Sequence, residues 1–169
     1  MEGFFIIVTM TNQKPFFITK VTDSPTDLDA YIDRVGDFTG KVILLGNSLI
    51  LRLCNLFQLL NKKHKKDGMM GNKIQLLESI GYKQLGINEA DFVNFIVDIK
   101  KFNQYLNLSK HSTFAADTNL MTANCLDIVL VDITSLQPYR MAYQEQIKVC
   151  NLGSQLNAYV DTVVSNLKK

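Results

Sequence analysis

Between Lys41 and Lys66 an uninterrupted apolar stretch, Val42-Ile43-Leu44-Leu45, passes through Gly46-Asn47-Ser48 into a strongly hydrophobic pattern of helical spacing that ends in Lys62-Lys63-His64-Lys65-Lys66. A short apolar run closed by Gly-Asn-Ser predicts a central strand buried on both faces, then a tight turn, then a helix. Along that helix Arg52, Asn55, Gln58 and Lys62 recur at three- and four-residue steps, which leaves only a narrow stripe for water. The segment should therefore form the centre of the core. Its turn would lie at a sheet edge, where α/β proteins place ligand sites and helix N-termini offer amide hydrogens to anions.

Flanking patterns extend this reading. Residues 3 to 10 (GFFIIVTM) and 15 to 21 (PFFITKV) are β-branched and aromatic runs separated by Thr11-Asn12-Gln13-Lys14, the signature of a β-hairpin. Ser24-Pro25-Thr26-Asp27 supplies a cap and a first-position proline ahead of Leu28, Tyr31, Ile32 and Val35, which predicts a short helix. Lys73 to Ile80 reads as another short helix ended by Gly81, and Gly86-Ile87-Asn88 opens an amphipathic helix from Glu89 to about Leu106. The polar stretch from Ser109 to Asn124 predicts a long loop carrying His111, and Asp127 to Ile133 a second apolar strand. Pro138 can open a C-terminal helix, with Gly153 a possible break. The expected class is α+β, or mixed α/β. An N-terminal β-hairpin would open a mixed sheet of about four strands, several helices would pack on it, and a C-terminal helix would end the chain.

Length, cysteine usage and charge set the limits on function. The 169 residues suit one hydrophobic core, and no Pro/Gly/Ser-rich linker divides them, so residues 1–169 are expected to form a single globular domain. No stretch reads as eighteen unbroken apolar residues, and Glu2 precedes the short N-terminal apolar run where a signal peptide carries positive charge. A soluble, cytoplasmic protein follows, in a bacterial cytosol or in a host cytosol if the chain is viral. Cys54, Cys125 and Cys150 are odd in number and widely separated, as small hydrophobes in a reducing compartment would be. A net charge of +2 creates no field that demands nucleic acid or anionic membrane.

Gly46-Asn47-Ser48-Leu49 resembles the nucleophile block of GDSL-type serine hydrolases, with Asn47 where that family has Asp. The resemblance implies Ser48 as nucleophile, yet the family's downstream Asp-x-x-His is absent; His111 and Asp132 are the remaining candidates for base and acid. As a structural element, Asn47 or Ser48 would instead cap the following helix. Neither G-x-x-x-x-G-K-[ST] nor G-x-G-x-x-G occurs, which argues against a nucleotide loop. No C-x-x-C or H-x-x-x-H pair is present, so neither metal nor cofactor is expected, although Asp127 with Asp132 could in principle serve a hard cation.

Lys62, Lys63, Lys65 and Lys66 could grip phosphates, but lysines in a helix's last turn also complement its dipole and keep that end in water. A helix-turn-helix at 73–80 and 89–106 is opposed by Glu89 and Asp91, which would meet phosphates at the start of the recognition helix. The favoured expectation is a small interaction or regulatory protein without catalytic activity, an accessory factor of a phage, virus or bacterium. It would bind another protein or itself through a helical face, with Leu156, Tyr159, Val160, Val163 and Leu167 as interface candidates. Nucleic-acid binding through the 62–66 cluster comes second, and a serine hydrolase using Ser48 third.

Overall fold

A computed structural model describes residues 5–8, 25–64, 69–117 and 125–169. The described chain is mostly helical, with a small antiparallel sheet. Its elements are β1 (Phe5–Val8), α1 (Pro25–Leu59), α2 (Met70–Leu85), α3 (Glu89–His111), β2 (Ser112–Asp117), β3 (Ile128–Asp132), β4 (Pro138–Met141) and α4 (Tyr143–Leu167). They belong to two compact units. One comprises residues up to Lys41 together with Asn107–Lys148; the other comprises Val42–Leu106 and Val149–Lys169.

The largest departure from expectation is α1. Residues 41–46 are not a strand, and the expected short helix from Pro25 continues through them to Leu59. The reason is periodicity over a longer window. Tyr31, Val35, Phe38, Val42, Leu49, Leu53 and Leu56 are buried and follow one another at three- and four-residue steps or a full heptad, so one helical stripe crosses the apolar run without interruption. Local β-propensity at Val42-Ile43 yields to that packing. Gly46 is a notch rather than a turn, because a Cβ there would lie 2.5 Å from Leu106 Cδ1. The real end of α1 is a Schellman motif: Asn61 adopts φ 54°, Lys62 N–H donates to Phe57 O at 2.8 Å, and Asn61 N–H donates to Gln58 O at 3.0 Å. Over Leu28–Leu59 the helix is long and apolar enough to cross a membrane by length and composition.

In the sheet unit the strand order is β1-β2-β3-β4, and every pairing is antiparallel, not mixed. β1 pairs with β2 (Val8 opposite Phe114), so it does not open the sheet as half of a local hairpin; the expected partner run 15–21 lies outside the described residues. Of the expected loop from Ser109 to Asn124, residues 109–117 are instead the last turn of α3 followed by β2, a strand whose weak alternation is compensated by a neighbour on each side; residues 118–124 lie outside the described residues. Pro138 begins β4 rather than a helix, at the first position of a strand, where a missing N–H is tolerated. Tyr31 of α1 is fully buried; its hydroxyl accepts the Val129 N–H at 2.8 Å, and its ring meets Phe114 edge-on at 6.4 Å. Asp127 joins β4 to α4. One carboxylate oxygen accepts from Arg140 (2.9 Å to Nη2), and the other accepts the Tyr143 N–H in the first turn of α4 at 3.1 Å.

The helical unit contains Val42–Leu59 of α1, all of α2, Glu89–Leu106 of α3 and Val149–Leu167 of α4. Gly81 (φ 73°) kinks α2, and Gly86 in the left-handed region ends it. Asn88 then caps α3 by accepting the Asp91 N–H at 2.8 Å and donating to the Asp91 carboxylate at 2.7 Å. Gly153 does not break α4. A Cβ there would meet the Phe102 ring at 2.7 Å and Leu45 at 3.1 Å, so glycine lets three helices approach closely.

Candidate functional site

The helical unit's most connected polar cluster lies between α1 and α4. Arg52 donates through Nε to Asp161 at 2.9 Å and through Nη1 to the Ser48 hydroxyl, four residues earlier on the same helix. Asn157, buried one turn before Asp161, donates to Leu45 O at 3.1 Å and to Gly153 O at 2.8 Å, leaving its Oδ1 buried without a partner. This seam favours one register of α1 against α4, because the Asn157 amide hydrogens reach Leu45 O in this alignment.

Ser48 sits in the interior of α1, not at a helix start, so neither the turn-and-cap reading nor an anion site on a helix N-terminus applies there. Its hydroxyl accepts a hydrogen bond from the Arg52 guanidinium, a group that offers donors and no acceptor and so cannot take the hydroxyl's proton as a general base would. His111 and Asp132 belong to the sheet unit, whereas Ser48 belongs to the helical one. Within the sheet unit His111 is the exposed last residue of α3, and its carbonyl accepts the Ile133 N–H at 3.0 Å. Asp132 Oδ1 accepts the N–H groups of Thr134 and Ser135 at 2.7 and 3.0 Å. Those two backbone hydrogen bonds hold its carboxyl below the ordinary 3.8, with the charge of nearby His111 a smaller contribution. Asp132 thus builds the β3–β4 turn, which closes on Leu136 at φ 56°.

The other candidates resolve in the same way. Asp127 is occupied by Arg140 and the start of α4, and no group of three or more potential metal ligands occurs among the described residues. Lys62 is half-buried and Lys63 exposed, both just beyond the cap of α1; Lys65 and Lys66 lie outside the described residues. His64 packs against Phe57 with the rings 5.6 Å apart and tilted by 58°, and its Nδ1 meets Lys62 O at 2.9 Å. Of the interface candidates, Leu156, Val160 and Val163 are buried in the helical unit, Tyr159 packs on Phe95 at 5.0 Å, and Leu167 is half-buried near Gly86. Leu156, Val160 and Val163 are thus core in this fold, while Tyr159 and Leu167 keep part of their surface exposed.

The surface that sequence reasoning missed is the outer face of α1. Leu44 and Leu51 are 70% and 66% exposed, and half-buried Ile43 and Ile50 adjoin them. Exposed Asn47 stands between the two leucines at three- and four-residue steps. The signal was available: once residues 41–46 are helical, Leu44 and Leu51 fall one heptad apart and away from Val42, Leu49 and Leu53. Comparisons with known protein families, curated proteins and solved structures find no match to this chain.

Proposed function

We propose that this chain is a protein-interaction or regulatory protein that acts in the cytosol as a homodimer through the outer face of α1. The observation that supports this is the pair Leu44 and Leu51, each about two-thirds exposed on a helix whose opposite face is fully packed. Isolated exposed apolar residues are ordinary on protein surfaces, but two large ones a heptad apart, with half-buried Ile43 and Ile50 beside them, form an apolar stripe that only Asn47 interrupts. A two-fold pairing of α1 with its copy would bury that stripe on both partners at once. Asn47 would lie at the centre of the pair, where a polar residue specifies register.

The apolarity of Leu28–Leu59 is, on this reading, that of a core helix with an interface and not of a membrane span. Arg52, in the second half of the segment, is ion-paired to α4, and buried residues along the stripe pack within the fold. Sedimentation equilibrium of the wild type and of Leu44→Gln/Leu51→Gln tests the proposal. The wild type should fit a monomer–dimer equilibrium, and the variant should remain monomeric with unchanged helical circular dichroism. A wild type that is monomeric at every concentration, or that floats with lipid vesicles, contradicts the reading.

A further inference from the structure

In the helical unit a cleft of about 160 Å³ opens between α3 and α4, lined by Phe95 and Asp98 from α3 and by Leu152, Gln155, Leu156 and Tyr159 from α4. Its walls are of two kinds. Leu152 and Leu156 form an apolar side, while the Phe95 and Tyr159 rings, 5.0 Å apart and tilted by 43°, present aromatic surface next to the Asp98 carboxylate. Asp98 is exposed and takes part in none of the ion pairs among the described residues; Lys100 on the same helix is committed to Glu78 at 2.6 Å. Lys101, one turn beyond Asp98, is not bonded to it. Across the cleft, residues 149–167 contain neither Lys nor Arg, and their one charge is Asp161. Asp91 adds a second negative charge near Tyr159; burial first, and that charge second, push the Tyr159 hydroxyl's pKa up.

An apolar slot with an unpaired carboxylate and two aromatic rings matches one ligand chemistry well. A cation is drawn to both the carboxylate and the ring faces, and an aliphatic stem gains by leaving water. We propose that the α3–α4 cleft binds a primary ammonium carried on an aliphatic stem, the stem against Leu152 and Leu156 and the charge beside Asp98 and the Phe95–Tyr159 pair. Anions are disfavoured by Asp98 and Asp91, and a purely apolar ligand leaves the carboxylate unused. None of the lining residues belongs to α1, so the site stands whether or not α1 dimerises.

The ammonium can come from a free alkylamine or from a lysine side chain of a partner, and the test separates these sources. The full chain is titrated with n-butylammonium chloride at constant ionic strength while the ring resonances of Phe95 and Tyr159 are followed by NMR. Saturable shifts are expected, and n-butanol, with the same stem and no charge, should produce none that saturate. Asp98→Asn, an exposed change on a helix face, should weaken n-butylammonium binding about fivefold, the scale of one exposed ion pair. Absence of saturation with n-butylammonium overturns the proposal, as does equal binding of n-butanol or an unchanged affinity in Asp98→Asn. N-acetyl-lysine methylamide, compared with its norleucine counterpart, then identifies the source. Tighter binding of the lysine compound than of n-butylammonium supports a protein-borne lysine, and weaker binding supports a free amine.

Discussion

Adding one methyl group to the chain's helical glycines should have opposite effects at different positions, with signs that follow from the space around each. Gly36 and Gly40 lie on α1 with nothing within 4 Å of where an alanine methyl would stand, so alanine there adds helix propensity without a steric cost. Each change should stabilise by about 0.5–1 kcal/mol. Gly153 is different: its Cβ would sit 2.7 and 2.9 Å from two atoms of the Phe102 ring and 3.1 Å from Leu45. Phe102 is fully buried and its ring is rigid, so relief requires the helices to separate. Overpacking of this kind costs about 1–3 kcal/mol; set against a propensity gain of about 1 kcal/mol, a ring contact this short leaves Gly153→Ala destabilised by about 1–2 kcal/mol. Gly46→Ala should also destabilise, because both methyl carbons of buried Leu106 lie within 2.6 Å of the new atom. Urea unfolding followed by far-ultraviolet circular dichroism reads these effects as shifts in midpoint at constant slope. Stabilisation by Gly153→Ala, or loss of stability in Gly36→Ala and Gly40→Ala, would refute the packing described for α1 and α4.

Further expectations concern the sheet unit. Tyr31→Phe deprives the part-buried Val129 N–H of the Tyr31 hydroxyl and should cost about 1 kcal/mol in the same urea assay, the worth of an ordinary hydrogen bond. Leu136→Gly relieves a left-handed backbone at an exposed turn and should stabilise by about 1 kcal/mol; destabilisation would mean that the Leu136 side chain contributes packing. Asp127→Ala removes the acceptor at the start of α4 and should cost about 1 kcal/mol. The lowered pKa of Asp132 implies stability that is present above its ordinary value of 3.8 and lost as pH falls through its folded value. The stability gap between wild type and Asp132→Asn should therefore narrow on acidification below about pH 4, and a gap that widens there reverses the sign of that linkage.

Local signals served well where chemistry and packing agreed. Gly86-Ile87-Asn88 marked a real corner because a left-handed residue followed by a side-chain cap is encoded within a few residues. Asp127 to Ile133 was recognisable as β3, and the amphipathic pattern after Glu89 as α3. The apolar stripe of the C-terminal helix was also visible, but periodicity cannot say whether such a stripe meets its own fold or a partner, and Leu156, Val160 and Val163 meet the former. Residues 41–46 misled because Val-Ile-Leu-Leu before Gly-Asn-Ser satisfies a strand template over six residues, whereas the competing helical stripe spans Tyr31 to Leu56. β2 was illegible in isolation: Ser112 to Asp117 is held between β3, the next strand in the chain, and β1, which comes from the far N-terminal part of the sequence. The Arg52–Asp161 contact joins residues 109 apart, a pairing that no local pattern announces.

The continuity of α1 supports the rest, since it places Leu44 and Leu51 outward, Val42 and Leu49 inward and Ser48 beside Arg52. Backbone chemical shifts across residues 38–52 test it most directly. An unbroken run of helical values is expected through Val42-Ile43-Leu44-Leu45 and Gly46-Asn47-Ser48. Extended values over 42–45 followed by turn values at 46–48 would contradict that continuity and return the segment to a strand, a turn and a shorter helix.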